Sequence, residues 1–255
     1  MDAEQVVLLL TAALAAGWVD AVVGGGGLIQ LPALLVALPG QPVAAALATN
    51  KLGSIAGTTS AAVAYLRKAK PDTRVAVPAA VLAVACAAGG ALCAAAISSD
   101  VLKPVIMIVL LAVAAIVVLK PDLGRAPRLV LRTRRRVAAA VLIPGVLIAF
   151  YDGLVGPGTG TFLVIAFTGL LGMDFVNASA TSKIINAGTN LGALAVFAAQ
   201  GHVLWAIGLA MAACNAVGAQ LGARTAINRG AGFVRVVLLC VVAALVAKLA
   251  WEQFG

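Results

Sequence analysis

Stretches of about twenty apolar residues recur along the chain, at 5–23, 42–66, 75–97 and 101–119 among others. A helix needs about 20 such residues to cross a hydrocarbon core of about 30 Å. Inside lipid every backbone N–H and C=O must find its partner within the chain, which leaves helices and closed barrels. A barrel needs short segments of alternating polarity, and runs such as 137–149 do not alternate. Composition agrees: 63% of the 255 residues are hydrophobic and 11% charged, against about 25% charged in a soluble domain. The expected fold is all-α, a polytopic helical membrane protein.

The net charge of +9 is concentrated in the breaks between apolar runs. Arg67, Lys68, Lys70 and Arg74 form one cluster, and Lys120, Arg125, Arg128, Arg132, Arg134, Arg135 and Arg136 a second. Arg224, Arg229 and Arg235 form a third, so 14 of the 18 basic residues lie in three places. Basic loops of this kind mark the cytoplasmic side of a membrane protein. No aromatic residues interleave with them, which argues against a nucleic-acid surface.

The chain repeats itself at one offset. "WVDAVVGGGG" (18–27) matches "FYDGLVGPGT" (150–159), placing Asp20 on Asp152 and Gly24 and Gly26 on Gly156 and Gly158. The same 132-residue step carries Lys51 onto Lys183, Gly90 onto Gly222 and Lys103 onto Arg235. Two homologous halves follow: residues 1–119, a basic cytoplasmic linker at 120–136 rich in Pro, Gly and Arg, and residues 137–255. The second half parses as 137–155, 161–171, 174–199, 203–222 and 235–251. The pieces 28–38 and 161–171 follow glycine runs and span about 16 Å as helix, too little to cross. Each half therefore expects a glycine-broken or re-entrant helix, buried in protein or lining a cavity. Basic loops fall on different sides in the two copies: 67–74 is basic and its counterpart 198–203 is not. That pattern fits inverted repeats, with both termini outside.

Charged residues at membrane depth are functional candidates. "ATNK" (48–51) and "ATSK" (180–183) each bury a lysine within an apolar stretch. After each break, at Gly24, Gly25, Gly26 and Gly27 in one copy and Gly156, Gly158, Thr159 and Gly160 in the other, a new helix begins. A helix start offers unpaired N–H groups and the positive end of a dipole. Lys51 and Lys183 add full positive charge, and Thr49, Asn50, Thr181 and Ser182 add hydrogen-bonding groups. These residues are expected to hold a small anion in one shared cavity; the competing reading is that each lysine only neutralises a buried aspartate. Asp20 and Asp152 are the candidates to carry a coupling ion, a proton or sodium. Spaced glycines at 53/57, 188/192 and 218/222 read as helix-packing faces. Gln30, Asn186, Asn190, Asn215 and Gln220 either line the cavity or bond a neighbouring helix, the second being favoured for Asn215 and Gln220.

Enzyme signatures are lacking. His202 is the single histidine, which excludes a paired-histidine metal site, and no G-x-S-x-G occurs. Ser54 beside Lys51 imitates a Ser-Lys dyad, but Ile185 does not complete it in the repeat. Cys86, Cys93, Cys214 and Cys240 lie in apolar runs and read as small core residues. The N-terminus has no basic lead-in and reads as a first helix rather than a cleaved signal. No cofactor is expected, and the sequence leaves the oligomeric state open.

The duplicated D-x-x-x-G-x-G break, followed about 25 residues later by "ATNK" or "ATSK", resembles the TauE/SafE sulfite exporter family of permeases. "GGGGLIQLPALL" (24–35) and "ATNKLGSIAGTTSAAVAYLRK" (48–68) are similar to its first-copy pattern. The resemblance implies a secondary transporter of the bacterial inner membrane that moves sulfite, organosulfonates or related anions, coupled to an ion. An anion channel or a membrane scaffold without substrate are the alternatives. Pro157 and Thr159 depart from the glycine run of the first copy, so the two breaks need not act alike.

Overall fold

The computed structural model describes residues 1–119 and 132–254. Lys120, Arg125, Arg128 and the linker stretch 120–131 lie outside the described residues, as do the side chains of Arg235 and Cys240. Every regular element among the described residues is helical. The first half holds α1 (Ala3–Val23), α2 (Gly27–Ala37), α3 (Val43–Leu66), α4 (Thr73–Ala96) and α5 (Ser99–Leu119). The second holds α6 (Arg134–Leu154), α7 (Thr159–Leu171), α8 (Phe175–Ala199) and α9 (Trp205–Phe254).

Local chemistry sets several helix starts. Asp72 accepts from the Arg74 N–H, Thr133 from that of Arg136 and Asp174 from that of Asn177, satisfying donors that a first turn leaves free. The Thr133 cap starts α6 at Arg134, three residues inside the stretch read as linker. One turn of α6, Ile143–Ile148, is π-helical and contains Pro144, which has no N–H to give the preceding turn. The second half departs from its expected parse: 203–222 and 235–251 are one helix, not two. The first copy breaks at "SSD" (98–100), where the Ser98 carbonyl starts α5. The equivalent "GAG" (230–232) has no capping side chain, and isolated glycines cost a helix only about 1 kcal/mol each.

Among the described residues, four helical stretches are long and apolar enough to cross a membrane: Ala3–Val23, Thr73–Ala96, Arg134–Leu154 and Trp205–Arg229. Their outer faces carry large apolar residues such as Val81, Leu147 and Leu209, as befits a surface solvated by lipid. The more polar α3 and α8 are enclosed between the others. α1 and α2 pack together, as do α6 and α7, so each glycine break is the tip of a helical hairpin.

The halves interlock by exchange. α1 packs along α9, and its repeat equivalent α6 packs along α4. α3 lies on α9 while α8 lies on α4. The contacts repeat residue by residue. A Cβ on Gly90 would stand 2.2 Å from the Phe150 carbonyl oxygen, and one on Gly222 would stand 2.3 Å from that of Trp18. Gly192 abuts the Val84 carbonyl, and at the equivalent place Ser60 donates to the Ala216 carbonyl at 3.1 Å. The spaced glycines at 53/57, 188/192 and 218/222 all press against neighbouring helices, so they do serve packing.

Buried amides lock α2 to α9. Asn215 Nδ2 donates to Gln30 Oε1 at 2.6 Å, and Gln30 Nε2 donates to the Asn50 carbonyl at 3.4 Å. Gln220 Oε1 accepts from Ser60 at 3.1 Å. Asn215→Ala leaves the buried Gln30 oxygen without its donor, a loss of about 1–3 kcal/mol. Thermal unfolding in detergent should register it as a lower melting temperature; an unchanged one would mean the amide pair contributes nothing.

Candidate functional site

The two hairpin tips meet inside the molecule. Gly24 closes α1 in the left-handed region (φ 80°), its N–H donating to the Asp20 carbonyl at 2.8 Å. It touches Gly160 backbone to backbone: a Cβ on Gly24 would lie 2.3 Å from the Gly160 carbonyl carbon. Thr161 Oγ1, at the start of α7, donates to the Val23 carbonyl at 2.7 Å, pinning one tip to the other. On the far side of the break Gly156 and Gly158 also take positive φ, 96° and 80°.

Each lysine crosses to the aspartate of the opposite copy. Lys51 Nζ lies 2.9 Å from Asp152 Oδ1, and Lys183 Nζ lies 2.6 Å from Asp20 Oδ2. Lys51, Asp152 and Lys183 are each 3% exposed or less, so these are charges held away from water, and each needs its partner. The surroundings of the pairs differ. Asp152 Oδ1 also accepts from Thr159 Oγ1 at 2.7 Å, and Lys51 Nζ stands beside Gly156. Lys183 donates to the Asp20 backbone carbonyl as well as to its carboxylate, at 2.6 Å to each.

A small polar cavity of about 20 Å³ opens at the tips, room for about one water molecule. Its walls include Lys51, Asn50, Asp152, Asp20, Gly24, Gly27, Gly156, Gly158, Thr159 and Gly160. Ser54, Thr58, Asn186 and Asn190 complete them. Ser54 and Thr58 follow Lys51 at helical spacing, and Asn186 and Asn190 stand at the equivalent steps after Lys183. The 132-residue offset therefore marked both stripes, yet Thr58 escaped the sequence reading.

Several expected residues are placed elsewhere. Lys183 is not among the wall residues and reaches the site through Asp20. Thr49 Oγ1 accepts from the Leu204 N–H at 3.3 Å, just before α9, and Thr181 donates within α8 to the Asn177 carbonyl at 2.9 Å. Gly26 presses on the Ala16 carbonyl, and Gly25 packs beside Leu28. Ser182, like its repeat equivalent Asn50, is buried with a side-chain oxygen lacking a partner among the described residues. No group of three or more His, Cys, Asp or Glu among the described residues is placed to hold a metal ion.

Comparison with known proteins decides the family. The sequence profile of the family described as "Sulfite exporter TauE/SafE" matches residues 9–249. The chain belongs to the TauE/SafE family. Among its relatives is the "Probable membrane transporter protein ORF9" of a Sinorhizobium species, 39% identical over 94% of this chain and 90% of the relative. The "Probable membrane transporter protein YfcA" of Escherichia coli is 33% identical over 97% of this chain and 90% of its own. A "Probable membrane transporter protein" of Haemophilus influenzae is 32% identical over 98% and 96%. No solved structure matches the chain. This TauE/SafE protein is thus an integral membrane protein of a transporter family, and the buried cross-copy ion pairs sit at its centre.

Proposed function

We propose that this protein is a secondary transporter that carries small sulfur-containing or organic anions, such as sulfite or organosulfonates, across a bacterial inner membrane in exchange with or alongside a coupling ion. The observation that carries the reading is the pair of reciprocal buried ion pairs at the junction of two glycine-tipped hairpins. A lysine held by an aspartate can be released to an incoming anion, and the helix starts beside it supply N–H donors. Discontinuous helices meeting at a central site are a recurring design in secondary transporters.

Two further contacts support inverted repeats. Arg132 pairs with Asp72 at 2.6 Å, and the Lys70 N–H donates to Asn177 Oδ1 at 3.1 Å. These gather the starts of α4, α6 and α8 on one side, together with the end of α3. α8 then begins on the side where its equivalent α3 ends, as inversion requires. The basic residues gathered there favour the cytoplasm, with the N-terminus opposite; α9, being one helix of 50 residues, carries the C-terminus back toward the basic side.

A panel of sulfite, sulfate and organosulfonates, tested for thermal stabilisation of the purified protein, examines the reading. A ligand at 100 times its Kd adds about 2.7 kcal/mol, so a substrate should raise the melting temperature and a non-substrate should not. Failure of every anion to stabilise the fold would favour a scaffold; flux that neither saturates nor responds to a coupling ion would favour a channel.

A further inference from the structure

The two ion pairs are equivalent in sequence but not in surroundings, and the difference bears on what accompanies the anion. Asp20 is partly open to solvent. Its Oδ2 and its backbone carbonyl both accept from Lys183, and its side chain is 16% exposed. Asp152 differs. Its Oδ1 accepts from both Lys51 and Thr159, while its Oδ2 is sealed from solvent and has no hydrogen-bond partner among the described residues.

A buried carboxylate oxygen without a donor is costly. Asp152 lines the cavity, yet the described residues bring no donor to this oxygen. A sodium ion is larger than a proton and needs several oxygens around it, and the ammonium of Lys51 stands 2.9 Å from the sister oxygen. A proton needs no added room.

We infer that Asp152 Oδ2 is the proton-carrying atom of this transporter, and that the coupling ion is a proton rather than an alkali cation. The inference rests on the transport reading above. The groups that face Asp152 are few. Lys51 comes from α3, Asp20 from α1 across the cavity, and Thr159 from α7. Tyr151, its neighbour on α6, sends its hydroxyl to the Pro157 carbonyl instead. α8 brings Asn186 and Asn190, both neutral.

The charge balance is simple. With both pairs made, Lys51, Lys183, Asp20 and Asp152 sum to zero. A proton moving from water onto Asp152 Oδ2 turns the carboxylate into a carboxylic acid and frees the ammonium of Lys51. The site then holds one unit of positive charge, which one monovalent anion neutralises. On the other side the anion leaves, the proton returns to water and the ion pair re-forms. Loaded and empty carriers are both neutral at this site, so the anion and the proton travel together without net charge. Lys183 and Asp20 stay paired throughout and act as a staple on the end of α1.

The test uses the full-length protein in liposomes with radiolabelled sulfite and, as a probe whose charge stays at minus one, methanesulfonate. Uptake of methanesulfonate should follow an inward proton gradient, each pH unit sustaining about tenfold accumulation at one proton per anion. Replacing sodium by choline, or imposing a potassium diffusion potential, should leave it unchanged. Asp152→Asn should lose the response to the gradient, whereas Gly40→Ala, at an exposed position where a Cβ meets nothing within 4 Å, should keep it. Uptake driven by sodium, or a gradient response that survives Asp152→Asn, overturns the inference. If neither anion exchanges across the membrane, the transport reading itself fails, and infrared spectroscopy then decides the proton site alone. On acidification a protonated-carboxyl band should appear in the wild type that is missing in Asp152→Asn and shifted by Thr159→Val, which removes the hydroxyl on Oδ1. The Thr159→Val shift carries that assignment if Asp152→Asn does not fold; absence of any such band, or a band that neither variant alters, overturns it.

Discussion

Lys51→Ala is expected to lower stability by about 3–5 kcal/mol, the usual penalty for stripping one partner from a buried ion pair. Asp152 is 2% exposed, so bulk water does not screen the stranded carboxylate. The double variant Lys51→Ala/Asp152→Asn removes the stranded charge and should recover much of that loss, because removing a buried pair together is often nearly neutral. Anion-dependent stabilisation should vanish in both. Melting temperatures in detergent, with and without sulfite, separate the effects: the double variant should melt above the single one, and neither should rise with the ligand. A double variant that folds well and still answers to sulfite would remove Lys51 from the anion site. A single variant as stable as the wild type would show that the pair has no structural weight.

The second large effect belongs to Gly24. Its φ of 80° lies where a Cβ is strained, and that Cβ would stand 2.3 Å from the Gly160 carbonyl carbon. The left-handed backbone contributes roughly 1–2 kcal/mol and the overlap about 1–3 kcal/mol more. Both neighbours are backbone, so no side chain can swing away. Gly24→Ala should therefore cost several kcal/mol, or part the hairpin tips. Gly40→Ala is the matched control, since a Cβ there meets nothing within 4 Å. Comparable melting temperatures for the two variants would contradict the tip-to-tip contact.

Much of this architecture is legible in the sequence, for reasons that differ by feature. Helix content follows from apolar run length alone, since lipid permits little else. The hairpin tips were legible because polyglycine and Pro157 cannot continue a helix, and the duplication because Asp20, Lys51 and Gly90 each reappear at one offset. Which aspartate meets which lysine was not legible. An offset gives equivalence, and partnership depends on how the halves dock. The same holds for Gln30 and Asn215, 185 positions apart. Thr49 and Thr181 fall outside the cavity wall for a local reason. At about 100° per residue, a position two before the lysine points to the far side of the helix, whereas Ser54 and Thr58 share the lysine's face. The fusion of 203–222 and 235–251 into α9 turned on a missing cap, a signal too weak to outweigh the repeat.

The crossing of Lys51 to Asp152 and Lys183 to Asp20 carries an implication about origins. Neither half owns both members of a pair, and α1 finds its main neighbour in the other half. An ancestor made of a single copy would have had an unanswered lysine and an unanswered aspartate until a second chain arrived. On this logic a single copy of the repeat needs a second one to complete its ion pairs.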